Sequence, residues 1–236
     1  MEITVLSWNI WLAGDLEKVV EFVERCDADI IGMQEVIPER EPDIINAIEA
    51  LGYQSAFTTA HERRKDGRKM GNAIFSKFPI VARETYVLSD EAHDSPTPEF
   101  EQRVAVRADI DIHGTTIAAF STHLAHTHQK PSAIQQSQVE HLVKVLPKER
   151  AILMGDFNAT PESDTIKQLQ AVLTNTDPSG EPTWSLYPEG CDTCNLQFLD
   201  TRLDYIFTTP DLKTHSPKVE RSDASDHLPV SSVAGF

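Results

Sequence analysis

Apolar runs alternate with amphipathic stretches along most of the chain. Residues 3–10 (ITVLSWNI) have the character of a buried strand. Residues 15–25 place Leu16, Val19, Val20 and Val23 at helical spacing, with Asp15 in position to cap the first turn. Residues 29–36 predict a second strand, and 41–51 a helix that Gly52 would stop. The middle of the chain is strand-rich, with short β-like runs at 53–58, 71–77, 80–88, 103–111 and 115–122. Turn signals at Asp66-Gly67, Phe78-Pro79 and His113-Gly114 separate them. Residues 103–111 alternate polar and apolar, as a half-buried strand should. A helix is expected over 132–146, a buried strand over 151–157, a helix over 162–173, and late strands over 203–208 and 229–234.

Two stretches break the pattern. Residues 89–102 are acidic and proline-containing and predict a surface loop. Residues 174–202 read as irregular. Neither shifts composition enough to mark a linker, and no repeat is visible, so residues 1–236 read as one domain.

Charge narrows the function. The chain has 21 Lys and Arg against 37 Asp and Glu, a net −16. Sequence-independent binding to duplex DNA draws its affinity from basic residues on phosphates, so this balance argues against it. It leaves open a small anionic substrate held through a metal. No run of about 18 apolar residues is present to span a membrane, and the N-terminal residues lack a secretory pattern. The three cysteines, Cys26, Cys191 and Cys194, cannot build a disulfide framework. A reducing cytoplasm is the expected location. The Cys191/Cys194 pair lacks the further ligands of a zinc site and reads as structural or incidental.

Polar residues gather where the apolar runs end. The ends carry Asn9; Gln34 and Glu35; His123; Asp156 and Asn158; Asp204; and Asp226 with His227. Polar groups after buried strands are costly unless paired or coordinated. Oxygen donors without cysteine suit a hard cation, Mg²⁺ or Mn²⁺, rather than zinc. Acids with histidines suit phosphoryl transfer to water. Singly, each position is equally compatible with a cap, a turn or a satisfied core histidine.

Taken in order, SWN, QEV, GNAIFSKFP, STHL, GDFNA, RLDYIF and SDHLPV resemble the motifs of the endonuclease/exonuclease/phosphatase superfamily. That group includes deoxyribonuclease, abasic-site endonucleases, deadenylases, sphingomyelinases and inositol-polyphosphate phosphatases. The resemblance runs from residue 7 to residue 230 and implies a four-layered α/β sandwich, two packed mixed β-sheets flanked by helices. It also implies roles. Glu35 would be the chief metal ligand, supported by Asn9, with Asp226 a ligand directly or through water. Asp156 would orient the attacking water. His227, fixed by Asp204, would contact the scissile phosphate, as would His123 and Asn158. Arg103 stands where many members carry a phosphate-binding arginine, and Trp184 where many carry an aromatic close to the site. The expected cofactor is Mg²⁺ or Mn²⁺. The expected activity is phosphoester hydrolysis, most readily of a phosphodiester in DNA, RNA or a nucleotide-like molecule, with no obligate protein partner.

What selects the substrate is less defined. Residues 61–69 hold Arg63, Arg64, Lys65, Arg68 and Lys69 between two expected strands. They form either a cationic finger for an anionic substrate or a solvated hairpin. Trp184 either stacks on a substrate or closes the core. Trp8 reads as core. His126 and His128 read as a solvated loop. The rival activities are a phosphomonoesterase, a lipid phosphoesterase, and a binding module without catalysis.

Overall fold

In the computed structural model, residues 1–63, 66–89, 101–127, 130–184 and 200–236 are described. Twelve strands form two six-stranded sheets among them. The first sheet has the order β11 (Lys213–Val219), β12 (Val230–Gly235), β1 (Glu2–Asn9), β2 (Ile30–Val36), β4 (Lys69–Ser76), β3 (Gln54–Glu62). The second has β5 (Ile80–Val87), β6 (Val104–Ile112), β7 (Thr115–His123), β8 (Ala151–Asp156), β10 (Asp204–Thr208), β9 (Thr174–Asn175). Each is antiparallel except for one pair: β1 with β2, and β7 with β8.

A parallel pair needs a crossover, and helices supply both. α1 (Leu16–Cys26) joins β1 to β2, and α3 (Ala133–Val145) joins β7 to β8. Asp15 caps α1 by accepting from the Lys18 amide, and Ser132 caps α3. The shorter α2 (Ile44–Glu49) and α4 (Asp164–Gln170) accompany them. Both are shorter than the 41–51 and 162–173 patterns suggest, because Asp43 and Ser163 start them late.

Three buried clusters define four layers. Ile3, Val5, Ile30, Ile74, Val106, Ile117, Ile152, Met154 and Ile206 pack between the sheets. Leu6, Trp8, Ile31 and Met33 pack with α1 and α2. Phe120, Leu153, Tyr205 and Phe207 pack with α3 and α4. Both faces of the central strands are therefore covered, and their sequences read as near-continuous apolar runs.

Strand parity then decides where the polar ends point. Side chains two apart share a face. Ile3 and Val5 face the inter-sheet core, and continuing that parity along β1 reaches Asn9. Likewise Ile152 and Met154 lead to Asp156, Ile117 and Ala119 lead to His123, and Ile206 shares its parity with Asp204. The polar ends thus converge between the sheets, at the carboxyl ends of the parallel strands, where open α/β sheets place ligands. The sheets approach closely at Gly32 of β2. A Cβ there would lie 2.8 Å from Met154 Cβ.

Two strands escape the apolar pattern. β9 is only two residues long. β11 is an exposed edge strand with Pro217 and a bulge between His215 and Lys218, so it buries little beyond Val219. No helix among the described residues is long and apolar enough to cross a membrane.

Candidate active site

The first sheet contributes Asn9, Glu35, Asp226 and His227. Glu35 lies in the left-handed region at φ 59°, at the register shift between Met33 and Val36 where β2 leaves β4. The bulge re-aims its carboxylate toward the strand ends. Asn9 Nδ2 donates to Glu35 Oε1 at 3.1 Å and to Asp156 Oδ2 at 2.9 Å. It thereby ties the two sheets together. The Leu12 amide donates to Glu35 Oε2 at 2.7 Å. Arg40 holds that loop by donating to the carbonyls of Leu12 and Gly14. Ser225 donates to the Asn9 carbonyl and accepts from the His227 amide, which fixes the Asp226-His227 turn against β1.

The second sheet contributes Asp156, Asp204, His123 and Asn158. In register, His123 pairs with Asp156, and Asp156 with Asp204. His227 Nδ1 lies 2.8 Å from Asp204 Oδ2, and its Nε2 lies 3.6 Å from Asp156 Oδ2. Thr183 donates to the same Asp204 oxygen at 2.6 Å and accepts from the Leu203 and Asp204 amides. Arg202 donates to the Asp204 carbonyl at 2.6 Å and to Asp177 Oδ2 at 2.8 Å.

Asn158, at φ 49°, has a determined amide orientation. Its Nδ2 donates to the Leu124 carbonyl at 3.0 Å, an atom that can only accept. Its Oδ1 therefore faces His126 Nδ1 at 2.9 Å, and the proton of that contact sits on His126. The second Nδ2 hydrogen points to His123 Nε2 at 3.0 Å, which accepts it.

Burial and mutual repulsion of the carboxylates dominate the electrostatics of the cluster. Burial pushes Glu35 above the usual carboxylate range, and Asp156 adds to it. Burial likewise raises Asp156, with His227 pulling partly back. Asp226 is pushed up to about 6 by burial, with Glu35 and Asp204 adding to it. For His227, burial disfavours the imidazolium, but Asp204 and Asp156 outweigh it and push the group up to about 10. Burial and the Arg103 and His227 charges hold His123 well below the ordinary histidine range. Asp156, Asp204 and His227 each offer a ligand atom, all within 4.8 Å of one another.

The sequence profile of the Endonuclease/Exonuclease/phosphatase family matches residues 6–227. The chain belongs to that family. Its members are phosphoester hydrolases, nucleases and phosphatases among them, and are generally dependent on divalent metals. No curated protein matches the sequence. Among solved structures, an endonuclease/exonuclease/phosphatase from Beutenbergia cavernae is 20% identical with TM-score 0.80, covering 99% of this chain and 71% of its own. A mannosyl-6-phosphatase from Bacteroides thetaiotaomicron is 20% identical with TM-score 0.72, covering 99% of this chain and 100% of its own. The human Nocturnin catalytic domain is 20% identical with TM-score 0.75, covering 100% and 93%. These likenesses extend the fold, a two-sheet sandwich, across the family.

The structure brings Asn9, Glu35, His123, Asp156, Asn158, Asp204 and His227 into one hydrogen-bonded or ion-paired cluster, with Asp226 beside His227. Arg103 is buried just before β6 and lines a crevice with Glu35 and His123. Trp184 is buried, its ring 6.2 Å from His227 and 6.0 Å from His126. His126, expected in a solvated loop, is exposed, yet its Nδ1 reaches Asn158. That contact depends on how the chain turns after β7, which no local pattern shows. Thr183, which with Trp184 forms a pair that the resemblance places close to the site, contributes its hydroxyl to Asp204, a role the sequence did not assign. His128, Cys191, Cys194, Arg64, Lys65 and most of the 89–102 loop lie outside the described residues.

Replacing Thr183 with valine keeps its shape but strips Asp204 of a donor and leaves two buried amides unpaired. We expect a roughly tenfold lower kcat and a loss of about 1–3 kcal/mol of stability. Serine at the position should restore most of both. Equal kcat for the valine and serine variants would show that this hydroxyl does not position Asp204.

Proposed function

We propose that residues 1–236 act as one catalytic domain that hydrolyses phosphoesters with a divalent cation, preferring a phosphodiester in nucleic acid or a nucleotide-like molecule. The observation that carries this reading is the join between the sheets: Asn9 hydrogen-bonded to both Glu35 and Asp156, with the Asp204–His227 pair closing the other side.

The donors fit a hard cation. Glu35 and Asp226 are carboxylates raised first by burial, Glu35 further by Asp156 and Asp226 further by Glu35 and Asp204, and no lysine or arginine forms an ion pair with them among the described residues. Glu35, Asp226 and the Asn9 side chain would hold Mg²⁺ or Mn²⁺, which when bound supplies charge neutralisation at the phosphate. The rest falls to the chain's own groups. Asp156, fixed through the Asn158 amide and Asn9, orients the attacking water. His227, charged and held through Nδ1 by Asp204, presents its Nε2–H to the oxygen that gains charge. Asn158 is already engaged with His123, so its Nδ2 contacts a phosphate oxygen by exchanging that partner. Trp184 backs the His227 ring.

A phosphomonoester is the second reading, favoured by the net charge of −16, which opposes a long polyanion. The test is hydrolysis across bis-p-nitrophenyl phosphate, p-nitrophenyl phosphate, single-stranded DNA, abasic duplex, RNA, inositol phosphates and sphingomyelin, each with Mg²⁺, Mn²⁺ or EDTA. The expected outcome is metal-dependent turnover lost in His227→Ala. Mn²⁺ or Mg²⁺ should also raise Tm, because an ion bound only by the folded chain at about a hundred times its Kd adds about 2.7 kcal/mol. Silence on every ester with no shift in Tm would remove the catalytic reading and favour a binding module.

A further inference from the structure

A pocket of about 210 Å³ lies between the first turns of α3 and α4, beside the loop that leaves β8. Of the reacting cluster only Asn158 lines it, and that side chain also meets His123 and His126. Glu35, Asp156, Asp204 and His227 do not line it. The pocket therefore opens next to a residue assigned above to a phosphate oxygen, without overlapping the reacting groups. Its floor is fixed by Gln135, which is 2% exposed. Gln135 Nε2 donates to the Asn158 carbonyl at 3.0 Å and to the Ala125 carbonyl at 2.7 Å, and its Oε1 accepts from Thr165 at 3.3 Å. One buried amide thus clamps the pocket to the reacting loop.

The walls offer donors and acceptors together. Gln136 and Thr160 are half-buried, and their side chains make no hydrogen bond among the described residues. Ser132 and Ser163 accept amides of their own helices through Oγ, which leaves each hydroxyl hydrogen to donate. Glu162 and Asp164 add carboxylates, and Lys130 an ammonium that forms no ion pair among the described residues. An alcohol hydroxyl both donates and accepts, so this lining suits several of them at once. A nucleobase asks for a stacking face, and no aromatic or arginine side chain lines the pocket. A second phosphate would meet two carboxylates against one lysine. Pockets for drug-sized ligands run to about 300–1,000 Å³, so one of about 210 Å³ holds a single ring.

We propose that this pocket holds a sugar ring esterified to the scissile phosphate, and that Gln136 and Thr160 select it by bonding to the ring hydroxyls. The assignment rests on the phosphoesterase reading above and deepens it, naming an uncharged, polyhydroxylated ring as the organic group next to the phosphate. The pentose of a nucleotide and the hexose of a sugar phosphate present the same chemistry to these walls. In the bound ester Asn158 meets the phosphate and Gln136 the ring, with the Gln135 clamp setting the interval between them.

The test compares glucose 6-phosphate with cyclohexylmethyl phosphate, and ribose 5-phosphate with cyclopentylmethyl phosphate, each also as its methyl diester, in Mg²⁺ buffer. Each pair shares ring size and a primary ester carbon and differs in the ring oxygens and hydroxyls. For the native chain, kcat/KM should favour the sugar ester by about tenfold in at least one pair, the worth of one or two neutral hydrogen bonds. The pair with the larger ratio tells a hexose source from a pentose one. Gln136→Leu and Thr160→Val should each bring that ratio severalfold toward one. A second arm measures binding of the matching non-hydrolysable phosphonates by calorimetry, expecting the same preference in the native chain and its loss in both variants. That pattern without turnover of any ester would keep the pocket and remove the phosphoesterase reading. Turnover with a ratio of one in the native chain, or with an unchanged ratio in both variants, would overturn the pocket. So would a preference for uridine 5′-phosphate over ribose 5-phosphate that Gln136→Leu abolishes, since the base would then be the group these walls read.

Discussion

Asp156→Asn is expected to lower kcat by about a thousandfold, within the 10²–10⁴ range of a lost general base or water-orienting group. The side chain is 1% exposed and sits where both halves of the site meet. One oxygen accepts the Asn158 amide at 2.9 Å, and the other accepts Asn9 Nδ2 and faces His227 Nε2. An asparagine retains the first contact. Its amide then opposes two donors, Asn9 and His227. That conflict should cost about 1–2 kcal/mol, or about 2–8 °C in Tm for a chain of this size. The loss of activity is far larger than so small a change in folding can produce. Steady-state rates beside a thermal melt check both quantities. A kcat within tenfold of the native value would take Asp156 out of the chemistry, and a Tm fall above 15 °C would make the variant uninformative on rate, with Asp156→Ser as the replacement.

The largest effect on stability is expected at Arg202, outside the reacting cluster but tied to it. Arg202 is 3% exposed and forms an ion pair with Asp177, itself 8% exposed. Its other bonds reach the carbonyls of Asp204 and Glu181, and its guanidinium lies 5.2 Å from the Tyr205 ring. Arg202→Met keeps bulk but abandons a buried carboxylate, which typically costs about 3–5 kcal/mol, or on the order of 10 °C in Tm. The loss carries a pH signature. Burial works to raise the Asp177 carboxyl, but hydrogen bonds from Ser179 and Arg202 outweigh it and hold it below the ordinary aspartate range. A carboxyl depressed in the folded state contributes fully above about pH 4 and loses that contribution as pH falls through its folded value. The gap between native and Arg202→Met melting curves should therefore be widest near neutrality and narrow below pH 4. A gap independent of pH would assign the loss to packing alone.

Much of this arrangement is legible in the chain because strand parity is strict. Asn9, His123 and Asp156 end runs whose alternate residues are apolar, so the faces they occupy follow from counting by two. Asp15 and Ser132 announce their helices by residue type. Other features have no local signature. β11 is polar, contains Pro217 and is held by its neighbour β12 rather than by burial. The layering of the sheets depends on which apolar faces meet, which periodicity does not specify. His126 reaches Asn158 only after segments distant in sequence are brought side by side. The basic run at 61–69 separates likewise once folded. Arg63 and Arg68 both neutralise Asp66 at the hairpin tip, while His61 turns into the crevice.

The close approach of Gly32 to Met154 sets a gauge for the whole scaffold. The carboxylates assigned to the cation ride on one sheet and the water-orienting aspartate on the other, so the thickness of the shared core is also the working distance of the chemistry. Any side chain larger than hydrogen at residue 32 would act as a spacer, opening that distance without altering a single reacting group. Redesign of substrate range on this framework is thus confined to the loops and hairpins at the strand ends, where length and charge can vary while the gauge stays constant.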